Sequence, residues 1–170
     1  MTTATDDEMA AEKAPTPHED AVFPLRVACI DMGSNAIRFV ASEFATETES
    51  VRLASDRSPI RLGHGVYLSG RLGAAAMDAA VDSLTGYREQ METLGVRSSR
   101  AVATSAVRES SNGDEFVERV QRETGIELDV ISGSEEARLV HLAVSRKVPL
   151  GTRQWLLVDL GGGSVEVSLV

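Results

Sequence analysis

Leu25-Arg26-Val27-Ala28-Cys29-Ile30-Asp31-Met32-Gly33-Ser34-Asn35-Ala36-Ile37 has a counterpart 128 positions later, Asp31 falling on Asp159, in Arg153-Gln154-Trp155-Leu156-Leu157-Val158-Asp159-Leu160-Gly161-Gly162-Gly163-Ser164-Val165. Each copy reads as an apolar strand, Asp-x-Gly, a serine-bearing turn and a second apolar strand. A strand–turn–strand start that recurs at a fixed offset is the signature of a duplicated domain. Residues 23–153 are therefore assigned to a first α/β domain, and residues 154–170 to the first two strands of a second, like domain. Two strands alone cannot bury their apolar faces, so this reading expects the natural protein to continue past Val170.

Working outward, the elements follow the order β-β-β-α-β-α-β-α and then β-turn-β. Leu25–Ile30 and Ala36–Glu43 flank the first turn. Val51–Arg61 is a third strand, with Pro59 marking an edge or a strand end. Leu62–Gly73 is rich in glycine and reads as a loop. Met77, Val81, Leu84, Met91 and Leu94 recur at helical spacing, and Gly95 closes that helix. Arg100–Thr104 is a fourth strand, followed by a helix capped by Asn112 or Asp114 and ended by Gly125. Leu128–Ile131 is a fifth strand, and Ser132 opens a helix running to about Arg146.

Composition bounds the function. The 170 residues suffice for a real core, and the 42% hydrophobic and 25% charged fractions are those of an ordinary soluble domain. No stretch approaches the roughly 18 apolar residues of a membrane span, and residues 1–22 lack the basic start and apolar core of a secretory signal. Those residues carry six acids against Lys13 and no periodicity, and read as a disordered acidic tail. Of the net charge of −9, the tail holds −5 and the body about −4, which argues against a general DNA or acidic-membrane binder. Cys29, the single cysteine, excludes an internal disulfide and fits a reducing cytoplasm; it is expected as a small apolar residue inside the first strand. Fifteen arginines against two lysines suit phosphate recognition, and a biased genome composition would give the same ratio.

The turns carry the first chemical hints. Glycine lets the backbone approach a ligand closely, and successive amides form an anion-binding nest. Gly33, Ser34 and Asn35 offer such a nest with two side-chain donors, and Asp31 at the strand end can hold a metal or order the loop. A plain hairpin would use the same residues. The second turn says more: Gly161, Gly162 and Gly163 between apolar strands lose chain entropy with no packing return, unless something must touch that backbone. Asp159 and Glu166 flank it with carboxylates suited to Mg²⁺. Glu135 and Glu136 begin a helix, where a Ser132-x-x-Glu135 capping box and favourable acid at a helix N-terminus compete with a catalytic role. Successive helix positions point about 100° apart, so at most one of the two faces a cleft. Arg108 follows a strand end, where anionic ligands bind to parallel sheets. There is no Gly-x-x-x-x-Gly-Lys loop, and His64 and His141 read as a loop polar group and a helix-surface residue.

Taken in order, Asp31-Met32-Gly33-Ser34-Asn35, Arg61-Leu62-Gly63-x-Gly65-Val66, Thr104-x-x-x-Arg108-x-x-x-Asn112, Ser132-Gly133-x-Glu135-Glu136-Ala137-Arg138-Leu139 and Asp159-x-Gly-Gly-Gly-Ser164-x-Glu166 closely resemble the exopolyphosphatase / guanosine pentaphosphate phosphohydrolase (Ppx/GppA) family. The resemblance runs from about Leu25 to the end of the chain. It implies the ribonuclease-H-like fold of the actin and sugar-kinase superfamily, a mixed sheet with helices. It further implies Glu136 as the base for an attacking water and Asp159 and Glu166 on Mg²⁺, to which Asp31 is added as a metal candidate from its place at the strand end. Gly33, Ser34, Asn35, Arg108, Gly161, Gly162, Gly163 and Ser164 would bind phosphate. Two positions depart from the pattern: Ala36 replaces a usual Ser or Thr, removing one hydroxyl donor, and Ser110 replaces alanine.

The expected activity is hydrolysis of terminal phosphate from inorganic polyphosphate in the cytoplasm. The alternatives are a guanosine pentaphosphate 5′-phosphohydrolase, a superfamily ATPase or kinase, and a non-catalytic phosphate or alarmone sensor. Polyphosphate or guanosine pentaphosphate is the expected partner, together with a homodimer of the longer protein; DNA and membrane are not expected. With half of the cleft missing, the 170-residue chain alone is expected to bind weakly and to be inactive.

Overall fold

The computed structural model describes residues 22–170, so the reading of residues 1–22 as a disordered tail falls, but for Val22, outside the described residues. Twelve elements follow in the order β1 (Leu25–Met32), β2 (Ile37–Phe44), β3 (Ser50–Ser58), α1 (Gly63–Ser69), α2 (Ala74–Thr93), β4 (Ser98–Ala103), α3 (Ser105–Arg108), α4 (Gly113–Thr124), β5 (Leu128–Val130), α5 (Gly133–Ser145), β6 (Leu156–Leu160) and β7 (Val165–Leu169). The first five strands form one mixed sheet in the order β3-β2-β1-β4-β5; β6 and β7 form a separate antiparallel pair. β1–β2 and β2–β3 run antiparallel, whereas β1–β4 and β4–β5 run parallel and are linked through helices. This is the α/β ribonuclease-H-like arrangement expected from the sequence.

The core lies on one face of that sheet. Ala28, Ile30 and Met32 of β1 alternate inward with Ile37, Phe39 and Ala41 of β2. Above them α2 presents Ala80, Val81, Leu84, Tyr87 and Met91, one stripe at helical spacing. The Phe39 and Tyr87 rings stack 5.0 Å apart at 12°, which fixes α2 over β2. Phe116 and Val120 of α4 complete the layer.

Three expectations need correction. Cys29 is exposed rather than buried, because period-two alternation puts it on the face opposite Ala28 and Ile30. Residues 63–69, read as loop, form α1: Gly63 and Gly65 are there because a Cβ at 63 would lie 2.8 Å from the Tyr67 ring and one at 65 would lie 2.8 Å from the Arg71 carbonyl. Four residues after β4 form α3, a single turn too short to show periodicity in sequence. Asn112 does occupy the N-cap of α4, but its side chain bonds the Leu72 amide (2.8 Å) and carbonyl (3.2 Å) instead of the helix. At α5 the expected cap is present, Ser132 Oγ accepting from the Glu135 amide at 3.2 Å.

The offset of 128 also exposes a contrast between the copies. Ala28, Ile30, Met32, Ile37, Phe39 and Ala41 are 0–2% exposed, whereas their counterparts Leu156, Val158, Leu160, Val165, Val167 and Leu169 are 57–77% exposed. The six form three cross-strand pairs on one face of β6–β7, the face opposite Asp159 and Glu166. Helices cover the first set; no described element covers the second.

Candidate active site

The first turn is held from below. The Gly33 amide donates to the Ala36 carbonyl at 3.1 Å, closing the hairpin between β1 and β2. Buried Ser34 shares a 2.9 Å hydrogen bond with Ser105 Oγ of α3 and accepts one from the Tyr67 hydroxyl of α1 at 3.1 Å. The Gly63 amide donates to Ser34 O and the Arg61 amide to Asn35 O, at 2.9 and 3.0 Å. The two helices that the sequence hid are thus the supports of the first glycine turn.

The second turn closes on the first. Gly161 donates its amide to Ser164 O at 3.0 Å. A Cβ at Gly162 would collide with the Asn35 carboxamide, and one at Gly163 with the Tyr67 hydroxyl. Part of what must touch this glycine backbone is therefore the opposite half of the site. Between the turns lies a cleft of about 280 Å³, walled by Gly33, Ser34 and Asn35 on one side and Gly161, Gly162 and Ser164 on the other. That space holds several water-sized groups, each with a liquid volume of about 30 Å³, and so accommodates a hydrated phosphoryl group.

Glu136 of α5 reaches the same cleft, with Asp31 and Asp159 at its edges. Its neighbour Glu135 turns away and binds Arg138 twice, at 2.6 and 2.8 Å, so one glutamate of the pair faces the cleft. Their electrostatics diverge accordingly. The Arg138 guanidinium holds the Glu135 carboxyl below the usual carboxylate range. Burial pushes Glu136 up, helped by the charges of Glu166 and Asp159 and opposed by Arg108.

Arg108, Gly163 and Glu166 are not among the residues that line the cleft. Arg108 Nη1 donates to the Ile131 carbonyl at 2.9 Å and lies 3.3 Å from the Glu136 carboxylate. Asp31, read as a metal ligand, lies 3.2 Å from Arg38, and no group of three or more metal-binding side chains gathers among the described residues. Asp159 and Glu166 stand directly opposite on the β6–β7 ladder. Glu166 Oε2 is buried without a hydrogen-bond partner, a state expected of a carboxylate oxygen shaped for a cation. Mg²⁺ asks for one or two carboxylates, with water and phosphate oxygens filling its octahedron, so this pair fits it. Thr104, the first residue of one of the quoted motifs, also lines the cleft, as do Ser105, Arg38 and Arg57, which were not singled out from the sequence. Strand alternation could have pointed to Arg38; Arg57 becomes visible only through strand pairing.

The model of the Ppx/GppA phosphatase family matches residues 40–170. The chain belongs to that family. Exopolyphosphatase 1 of Mycobacterium tuberculosis is 31% identical over 144 residues, covering 85% of this chain and 42% of that protein. Its counterpart from Mycobacterium leprae matches to the same extent. Among solved structures, an exopolyphosphatase from Cytophaga hutchinsonii superposes with a TM-score of 0.80 at 33% identity, over 85% of this chain and 46% of that one. The Aquifex aeolicus PPX-GPPA enzyme gives 0.77 at 32%, over 86% and 48%. This Ppx/GppA chain thus spans about half the length of the relatives it matches, 42% of the curated exopolyphosphatases. Among its described residues no helix is long and apolar enough to cross a membrane.

Proposed function

We propose that this chain forms one side of an exopolyphosphatase site, releasing the terminal phosphate of inorganic polyphosphate by attack of water. The carrying observation is Glu136, a half-buried carboxylate with a raised proton affinity set on the wall of a cleft between two glycine turns. The amides of the turns and the Ser34 and Ser164 hydroxyls orient the terminal phosphoryl group and spread its charge. Glu136 accepts the proton of the water as the water oxygen bonds phosphorus. The bridging P–O bond breaks, and its electron pair leaves on the shortened polyphosphate. A carboxylate of ordinary acidity is a weak base; burial improves Glu136 for this task.

Mg²⁺ bound by Asp159 and Glu166 would supply positive charge to the bridging and leaving oxygens. Arg108, 3.3 Å from the Glu136 carboxylate, steers Glu136 and moderates its proton affinity.

The test is phosphate release from polyphosphate by wild-type protein and by Glu136→Gln. General-base help contributes about 10²–10⁴ in rate, so the variant should lose at least about a hundredfold. Retention of wild-type turnover would remove Glu136 from this role. Release from guanosine pentaphosphate in parallel, with none from polyphosphate, would replace the substrate.

A further inference from the structure

Tyr67 of α1 is 49% exposed, yet its hydroxyl is turned inward. A half-exposed tyrosine ordinarily buries its ring and keeps the polar tip in water. Here Gly63, lacking a Cβ, lets the ring lie against the start of α1, and Gly163 of the second turn meets the hydroxyl. The hydroxyl donates to buried Ser34 Oγ at 3.1 Å. Ser105 Oγ lies 2.9 Å from the same atom, in a hydrogen bond that either serine can donate. Ser34 and Ser105 both line the cleft, and Tyr67 is not among the residues that do.

The direction of this chain decides what the cleft presents. Each hydroxyl has one proton and two acceptor lone pairs. Three hydroxyls joined by two hydrogen bonds use two of their three protons and keep one. Because Tyr67 gives its proton to Ser34, the spare one sits on Ser34 or on Ser105, and either places it at the cleft. With the Tyr67 bond reversed, the spare proton could rest on Tyr67, and a serine lone pair would face the anion and repel it. Hydrogen bonds in a chain also polarise one another, so donation by Tyr67 makes the serine pair a better donor.

We propose that Tyr67 is a positioning residue whose hydroxyl orients the Ser34–Ser105 pair as donors toward an anion in the cleft. The inference rests on the exopolyphosphatase reading and deepens it, since a site so oriented favours oxygens that carry no proton. Tyr67 acts through Ser34 and touches no ligand itself.

Calorimetric titration of the 170-residue chain with sulfate and with orthophosphate, in magnesium buffer at neutral pH, tests the assignment. Sulfate carries no proton there and can only accept, whereas hydrogen phosphate can turn its own hydroxyl toward a serine lone pair. Tyr67→Phe keeps the ring and removes the hydroxyl. It should weaken sulfate about threefold to tenfold, the range of one net hydrogen bond, and weaken orthophosphate less. In a Ser34→Ala background the same change should cost no further sulfate affinity. Unchanged sulfate affinity in Tyr67→Phe overturns the orienting role and leaves the exopolyphosphatase reading standing. Equal losses for the two anions overturn it as well, because altered packing treats them alike. A further loss in the Ser34→Ala background places the action of Tyr67 elsewhere and also overturns it. So does a wild-type chain that binds orthophosphate but refuses sulfate, because a pocket of donors takes both. Wild-type chain that binds neither anion overturns both readings.

Discussion

Arg108 Nη1 is shared between the Glu136 carboxylate, 3.3 Å away, and the Ile131 carbonyl, 2.9 Å away. One guanidinium therefore ties the end of β5 to the first turn of α5 and holds the candidate base in place. It also offsets burial and the Glu166 and Asp159 charges, which raise the proton affinity of Glu136. Arg108→Ala removes the lowering influence and keeps the raising ones. The acid limb of the rate profile should then move to higher pH, and Arg108→Lys should restore most of it. The measurement is phosphate release against pH; an unmoved limb would mean that Arg108 does not tune Glu136.

Glu136 also sets a stability prediction for metal-free protein. Its folded proton affinity is raised, chiefly by burial, so folding favours the protonated form. That contribution is full below the ordinary glutamate pKa of about 4.3 and is lost as pH rises through the folded value. At pH about 7 the ionised carboxylate opposes folding. Glu136→Gln should therefore raise Tm at neutral pH in chelator, with the gain shrinking as the buffer is acidified. Differential scanning calorimetry at the two ends of that range is decisive, and a lower Tm at neutral pH would contradict the assignment.

Gly163 meets the Tyr67 hydroxyl so closely that no side chain fits there. Gly163→Ala should push the second turn off the first and weaken phosphate binding by about tenfold or more, the scale of 1.4 kcal/mol. Adding Tyr67→Ala makes room and should return part of the affinity, a non-additivity that a double-mutant cycle reads directly. Strict additivity would show that the turns do not close through this contact.

The duplicated hairpins should respond differently to truncation. Phe39 is fully buried against Tyr87, and Phe39→Ala should lower unfolding free energy by about 3–5 kcal/mol. Val167 holds the same place in the second copy but is mostly exposed, and Val167→Ala should change it by less than about 1 kcal/mol. Urea unfolding of the chain gives both numbers. A large effect at Val167 would show that something covers the β6–β7 face in solution.

Much of the site was legible because its groups are local in sequence. Asp159 and Glu166 flank one turn, Ser34 and Asn35 sit inside another, and the helix geometry of Glu135 and Glu136 allows one to face inward. Four contributors were not legible in this way. Tyr67 lies in a segment whose glycines signal loop, although α1 forms because Gly63 and Gly65 let it pack against Ser34 and Arg71. Ser105 meets Ser34 across 71 positions of sequence. Arg38 and Arg57 become a pair through the register of β2 on β3, which no periodicity within either strand contains. Arg108, expected at phosphate from its place after a strand, is tied to Glu136 and the Ile131 carbonyl, contacts that join residues 23 and 28 positions away.

The sequence by itself determined the order of strands along the chain, the repeat from Asp31 to Asp159, the two glycine turns and the cap that starts α5. Those features depend on chain chirality, alternation and glycine stereochemistry, all of which act over a few residues. Only the tertiary structure decided which groups face one another: Tyr67 under both turns, Arg108 behind Glu136, Asp31 on Arg38, and Cys29 on the open face of the sheet. The reason is that close packing couples residues far apart in sequence, and the energy of a buried carboxylate or an opposed pair of arginines depends on neighbours that the chain brings together only when folded.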